Sequence, residues 1–160
     1  MKKTKTQSIL ILSDIRSAIN VGAMFRTADA VGISEIYLIG YTPSPTDSFG
    51  RIQKDISKSA LGAETWIPWK YEKNIIPLIN KLKKEGYLII AIEQNKNAIN
   101  YRKVKKVNKM AIIMGSEVDG ISKKILNKCD YIAEIPMKGK KESLNVSVAC
   151  GIALFGIFDN

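Results

Sequence analysis

Histidine is absent from all 160 residues. That excludes a Ser-His-Asp triad, a histidine general base and any zinc site built on cysteine and histidine. The two cysteines, Cys129 and Cys150, lack metal-ligand spacing, so no metal is expected. Sparse cysteine use also points to a cytoplasmic protein. No apolar run reaches the roughly 18 residues of a membrane span, so no membrane partner is expected. The basic start, MKKTKTQS, leads only into ILIL, which is too short for a signal peptide. Nucleotide fingerprints are missing as well. No GxGxxG follows the first strand-like segment, and neither GxxxxGKS nor GxxxxGKT occurs. GKKESLN has one glycine and the wrong order for a phosphate loop, and GSEVDG lacks the alternating oxygen ligands of an EF-hand.

What is present is positive charge. Lysine and arginine number 25 against 15 acidic residues, a formal net charge of +10. Such an excess favours a polyanionic partner. Nucleic acid stands ahead of anionic lipid, because no segment joins a basic face to a strong aromatic or leucine face. The basic groups gather in RKVKKVNK (102–109), at Lys138, Lys140 and Lys141, and at Arg51, Lys54 and Lys58. A lysine-rich solvated surface is the plainer account of the same residues.

Apolar residues make up 46% of the chain, enough for one domain with a proper core. SILIL (8–12) predicts a buried strand. NVGAMFRTADAVG (20–32) predicts a helix with Asn20 as N-cap and Gly32 as its stop, and EIYLIG (35–40) a second strand. That order is a parallel βαβ unit. YTPSPTDSFG (41–50) is a loop. ISKSALGAETWIPW predicts a short helix ending near Gly62 and a short strand into Trp66. Residues 71–84 then read as a helix interrupted by Pro77. YLIIAIE (87–93) and MAIIMG (110–115) are β-branched runs typical of strands covered on both faces. A helix over 122–128 and the strand YIAEIP (131–136) follow. The closing helix, about 145–158, is apolar nearly all round and needs cover on more than one face. The fold class is therefore α/β, a single domain on a mostly parallel sheet. Ligands of such sheets lie beyond the carboxyl ends of the strands, where GYTPSPTD, AIEQNKN, MGSEVDG and IPMKGKKESLN fall.

Five polar residues sit at seams between loops and helices: Asn20, Arg26, Glu117, Ser143 and Asn145. Each has a plain structural account. Asn20 fits a cap, Arg26 a solvated helix face, Glu117 an exposed turn, and Ser143 or Asn145 the cap of the last helix.

Together they carry a resemblance. NVGAMFRTADAVG, IIMGSEVDGIS and IPMKGKKESLNVSVACGIALF resemble, in order and spacing, the three motifs of the SpoU/TrmH branch of the SPOUT methyltransferases. The likeness runs from about 8 to 158 and implies one methyltransferase domain over 1–160 without an RNA-binding extension. It implies a deep trefoil knot at the carboxyl end, which base rates alone would argue against. It also implies S-adenosylmethionine as cofactor, held around Met114, Gly115, Ile135, Met137, Leu144 and Asn145. The implied reaction is methylation of a ribose 2′-hydroxyl in tRNA or rRNA, with tRNA favoured. Asn20, Arg26, Glu117, Ser143 and Asn145 are the implied catalytic set, and a homodimer paired through the last helix the implied assembly. The alternatives are a non-catalytic RNA-binding or assembly factor on the same fold, and an enzyme acting on a small anionic metabolite.

Overall fold

A computed structural model describes residues 6–159; the basic start, 1–5, and residue 160 lie outside the described residues. The chain runs β1 (Gln7–Ser13), α1 (Ala18–Val31), β2 (Glu35–Ile39), α2 (Lys54–Ala60), α3 (Ala63–Trp66), β3 (Trp69–Glu72) and α4 (Ile75–Lys84). It continues with β4 (Leu88–Ile92), β5 (Ile99–Asn100), a 3-10 turn (Tyr101–Lys103), β6 (Lys109–Met114), α5 (Lys123–Leu126), β7 (Tyr131–Glu134) and α6 (Val146–Phe158). The described strands form one seven-stranded sheet in the order β3-β2-β1-β6-β4-β7-β5, and every pairing is parallel.

Alternate residues of β1, β2, β4, β6 and β7 feed two separate cores. Leu10 and Leu12 of β1 point to the face covered by α1, α2, α3 and α6, with Phe25, Ile56 and Leu154 against them. Ile9 and Ile11 point to the other face, covered by α4 and α5 through Ile79, Leu82 and Leu126. Burial on both faces is why β4 and β6 read as unbroken apolar runs.

Three local expectations are corrected. The N-cap of α1 is Ser17, not Asn20: Ser17 Oγ accepts from the Asn20 amide at 3.2 Å, which places Asn20 in the first turn. The segment into Trp66 is a helical turn, α3, and the strand comes later at Trp69–Glu72. Gly62, at φ 98°, starts that turn, and Thr65 N–H donates to Gly62 O at 2.9 Å. Pro77 does not break α4, because it is the third residue of the helix, where its missing N–H has no intrahelical acceptor to lose. The short edge strand β5 carries no period-two pattern and escapes a sequence-based assignment.

Gly22 shows how tightly the first motif is packed. A Cβ there would overlap Ser59 Oγ and come within 2.5 Å of the Ile56 carbonyl oxygen on α2. Only glycine lets α1 approach α2 so closely.

Candidate active site

The sheet order reverses between β1 and β6, and the loops after these two strands lean toward each other across that switch point. Glu117, on the loop after β6, takes advantage of the amino end of α1. Arg16 N–H donates to Glu117 Oε2 at 3.0 Å, Ser17 N–H to Oε1 at 3.2 Å, and Asn20 Nδ2 to Oε1 at 3.2 Å. Partial burial pushes the Glu117 carboxyl up. Hydrogen bonds from the Arg16 amide, its own amide, Asn20 and the Ser17 amide outweigh this and hold it below its ordinary value of 4.5. A carboxylate at a helix amino terminus is also favoured by the helix dipole.

Asn145 closes the network from the far end of the chain. Its Oδ1 caps α6, accepting from Ser147 N–H at 2.9 Å, Ser147 Oγ at 2.6 Å and Val148 N–H at 3.4 Å. Its Nδ2 donates to Asn20 Oδ1 at 3.3 Å. Asn145 is thus the cap that the sequence left undecided between it and Ser143, and a bridge to α1 as well.

Beside this network lies a cavity of about 810 Å3, walled by the loops after β4, β6 and β7 and by the start of α6. Met114, Gly115, Glu117, Ile135, Met137, Ser143, Leu144 and Asn145 all line it. The loop after β6 is pinned into a tight arch. Gly120 N–H donates to Ser116 O at 3.0 Å, and Ser116 Oγ accepts from the amides of Val118 and Asp119 at 3.3 and 3.4 Å. Gly115 makes the arch possible, since a Cβ would stand 2.5 Å from Ile121 Cγ1 and 2.7 Å from the Gly120 carbonyl carbon.

Two expected residues do not line the cavity. Asn20 reaches it only through Glu117 and Asn145. Arg26 is exposed on α1, and no hydrogen bond or ion pair is seen for it among the described residues. Gly22 faces α2 and Thr27 faces Gly151 of α6, so Arg26 lies on the outward ridge between them, in line with exposed Ile19 seven residues earlier. Sequence reasoning also missed contributors. Glu93, at the end of β4, lines the cavity and clamps its wall, accepting from Ile121 N–H at 2.9 Å and Gln94 N–H at 2.9 Å. The Arg16 and Ser17 groups act through backbone amides, which have no side-chain signature. Glu93 had only its place at a strand end to mark it.

Among the described residues no cluster of His, Cys, Asp or Glu could hold a metal ion, and no helix is long and apolar enough to cross a membrane. Burial raises both thiols, Cys129 to about 11 and Cys150 to about 12, which leaves neither as a nucleophile.

Comparison with known proteins converges on this geometry. The model of the SpoU rRNA Methylase family matches residues 7–155. A Staphylococcus aureus (strain MSSA476) protein assigned by name to the TrmH tRNA/rRNA methyltransferase family is 31% identical over 157 residues, covering 98% of this chain and 60% of that protein. This chain therefore spans about three fifths of the length of that relative. The crystal structure of the A. aeolicus TrmH/SpoU tRNA modifying enzyme superposes with a TM-score of 0.83 at 26% identity, over 98% of this chain and 77% of that one. That of an AdoMet-bound rRNA methyltransferase from Sinorhizobium meliloti gives 0.85 at 27%, over 95% and 56%. The parallel α/β architecture is the trefoil-knot fold of these relatives, as the resemblance implied. With its three motifs joined at one cavity, the chain belongs to the SpoU rRNA methylase family.

Proposed function

We propose that the protein transfers the methyl group of S-adenosylmethionine to a ribose 2′-hydroxyl of tRNA or rRNA, tRNA being favoured, in the cytoplasm. One observation carries this reading: Glu117, Asn20 and Asn145, one from each motif, form a single hydrogen-bonded chain whose two ends, Glu117 and Asn145, line the cavity. A non-catalytic RNA-binding protein needs no such convergence.

The cavity suits the cofactor. Its volume of about 810 Å3 lies within the range of small-molecule sites. Gly115 lets the wall from 115 to 121 fold back tightly, and Met114, Ile135, Met137 and Leu144 offer apolar walls beside the polar Ser143 and Asn145. Bound there, S-adenosylmethionine supplies an electrophilic methyl on a positively charged sulfur. The chain's own part is orientation, exclusion of water and charge stabilisation. Glu117 and Asn20 would fix the ribose, and Ser143 and Asn145 the loop that closes on it. Arg26 would hold the adjoining phosphate and stabilise alkoxide charge. A free guanidinium titrates above about 12, so electrostatic stabilisation is its natural role.

A second copy of the chain would bring Arg26 to a reacting ribose. α6 leaves Val148 50% and Phe155 44% exposed, with Ile152 beside them, and α1 leaves Ile19 exposed. A symmetric homodimer through this face would cover them and bring the Arg26 ridge to the partner's cavity.

The reading is tested by incubating the purified protein, in EDTA, with isotope-labelled S-adenosylmethionine and RNA from cells lacking the gene. Digestion to nucleosides and mass spectrometry should give a 2′-O-methylnucleoside. Label on a base, or none, would overturn it.

A further inference from the structure

The loop between β2 and α2 is built more firmly than its composition, GYTPSPTDSFGR, requires. The single Thr42 Oγ1 proton is shared between the carbonyls of Ile39 and Leu12, at 2.8 and 3.0 Å, and Oγ1 accepts from Ile15 N–H at 3.0 Å. Tyr41 N–H donates to Asp14 Oδ1 at 3.3 Å. Further out, Asp47 Oδ1 accepts from the amides of Phe49 and Arg51 at 2.9 and 3.0 Å, and its Oδ2 from Arg51 Nε at 2.6 Å. This fixed turn presents Phe49 82% exposed, with the Arg51 guanidinium 5.2 Å from its ring centroid. Tyr41, 55% exposed, stands at the base of the same loop.

An aromatic ring held almost wholly in water contributes nothing to the core, yet three hydrogen bonds to one carboxylate keep its turn in place. Its surroundings are cationic: Arg16, Arg51, Lys54 and Lys58 are all exposed. Of the nearby carboxylates, Asp47 is already paired with Arg51 and Asp14 accepts from the Tyr41 amide, while Asp55 remains solvated. The loop also stands on the edge of the candidate active site. Its anchors, Asp14 and Ile15, immediately precede Arg16 and Ser17, whose amides hold Glu117. β2 lies two strands from β6, so the carboxyl end of β2, where the loop begins, stands about 10 Å from that of β6, where the arch begins.

We infer that Phe49 and Arg51 form a stacking platform for an unpaired base of single-stranded RNA, next to the ribose presented at the cavity. Exposed aromatic and guanidinium planes on a basic surface are the means by which proteins engage splayed-out bases, whereas paired bases in a helix offer no such face. The inference rests on the methyltransferase reading and narrows it: the substrate segment is a loop or bulge, not a duplex.

The test measures fluorescence anisotropy with a fluorescein-labelled single-stranded oligoadenylate and a blunt RNA duplex of equal length. Phe49→Ala and Phe49→Leu should each weaken single-strand binding by about tenfold, with duplex binding and salt dependence unchanged, and Phe49→Trp should restore it. Lys58→Ala should instead lower the salt slope for both RNAs. Phe49 is outside the core, so these variants keep the fold. Binding of S-adenosylhomocysteine, measured alongside by calorimetry, separates the two claims. If the wild type binds S-adenosylhomocysteine but Phe49→Ala binds single strands within twofold of wild type, the platform is wrong and the enzyme reading stands. If S-adenosylhomocysteine fails to bind, the enzyme reading falls, and the Phe49 variants still decide the platform. Loss of a dimer in Phe49→Ala by sedimentation, or equal loss of duplex binding, would also overturn it.

Discussion

Asn145 donates from Nδ2 to Asn20 Oδ1 at 3.3 Å, across 125 positions of sequence. Asn20 in turn donates from its own Nδ2 to Glu117. The direction follows from chemistry, because an ionised Glu117 accepts only, which leaves the Asn20 oxygen for Asn145. A side chain with both a donor and an acceptor is needed at the middle of this chain. Aspartate or serine there could not serve both neighbours in the same geometry.

Asn145 has two tasks that substitution can separate. Aspartate caps a helix as well as asparagine does but cannot donate to Asn20. Asn145→Asp should stay within about 0.5 kcal/mol of wild-type stability, whereas Asn145→Ala should lose about 1 kcal/mol in urea denaturation. Both should slow single-turnover methyl transfer by about tenfold or more. Normal turnover in Asn145→Asp would remove the Asn20 bridge from the mechanism.

Glu117 predicts a pH dependence with a definite sign. Its folded-state carboxyl is held below 4.5, so the unfolded chain takes up the proton first. Its stabilising contribution is therefore complete above 4.5 and disappears as pH falls through the lower folded value. Thermal melts of the wild type and Glu117→Gln should differ by a constant amount near neutrality. The gap should close in acid, and the variant's curve should be the flatter one below 4.5. A gap that widened on acidification would contradict the hydrogen-bond assignment.

β1, β2, β4, β6 and β7 and the two-sided sheet were legible because apolar runs long enough for strands have few other places to go, whereas β3 and β5 are short edge strands, neither with a buried residue. The start of α1 was not, since Ser17 and Asn20 are both good caps and only the position of Glu117 shows why Asn20 is free for another task. α3 was misread because AETWIPW mixes β-formers with a turn that Gly62 directs. At the site, the side chains spelled in the motifs were visible, but the amides of Arg16 and Ser17 were not, since any residue carries an amide. The outward position of Arg26 agrees with the solvated helix face read from the sequence; that this face does not line the cavity was hidden, because helical spacing shows which residues share a face, not which neighbour that face meets.

Gly115 should be intolerant of even one carbon. A Cβ 2.5 Å from Ile121 and 2.7 Å from backbone forces the arch from 115 to 121 to open, because a backbone carbonyl cannot rotate aside as a side chain can. Gly115→Ala should weaken S-adenosylhomocysteine binding by about tenfold or more and cost about 1–3 kcal/mol of stability, the usual range for overpacking. Calorimetry beside chemical denaturation would measure both. Unchanged binding would place the cofactor elsewhere.

Arg26 and the cavity lie on different faces of one chain, and this gives the sharpest prediction. Arg26→Ala should abolish turnover and leave S-adenosylhomocysteine affinity intact, since the residue does not line the cavity. Arg26→Lys keeps the charge but loses the planar fork, so its rate should still fall by about tenfold. If Arg26 serves the partner's cavity, mixing the inactive Arg26→Ala protein with Gly115→Ala, with subunit exchange and at a donor concentration too low to load the Gly115→Ala cavity, should restore activity. Half of the dimers would then be mixed, each with one intact site that takes its arginine from one subunit and its cavity from the other. About a quarter of wild-type activity is expected from random pairing. If Arg26 acted on its own subunit's cavity, every site in the mixture would lack one part and no activity would return. Methyl transfer after mixing decides between these outcomes, and a stable monomer in analytical ultracentrifugation at micromolar concentration would rule out the shared site altogether.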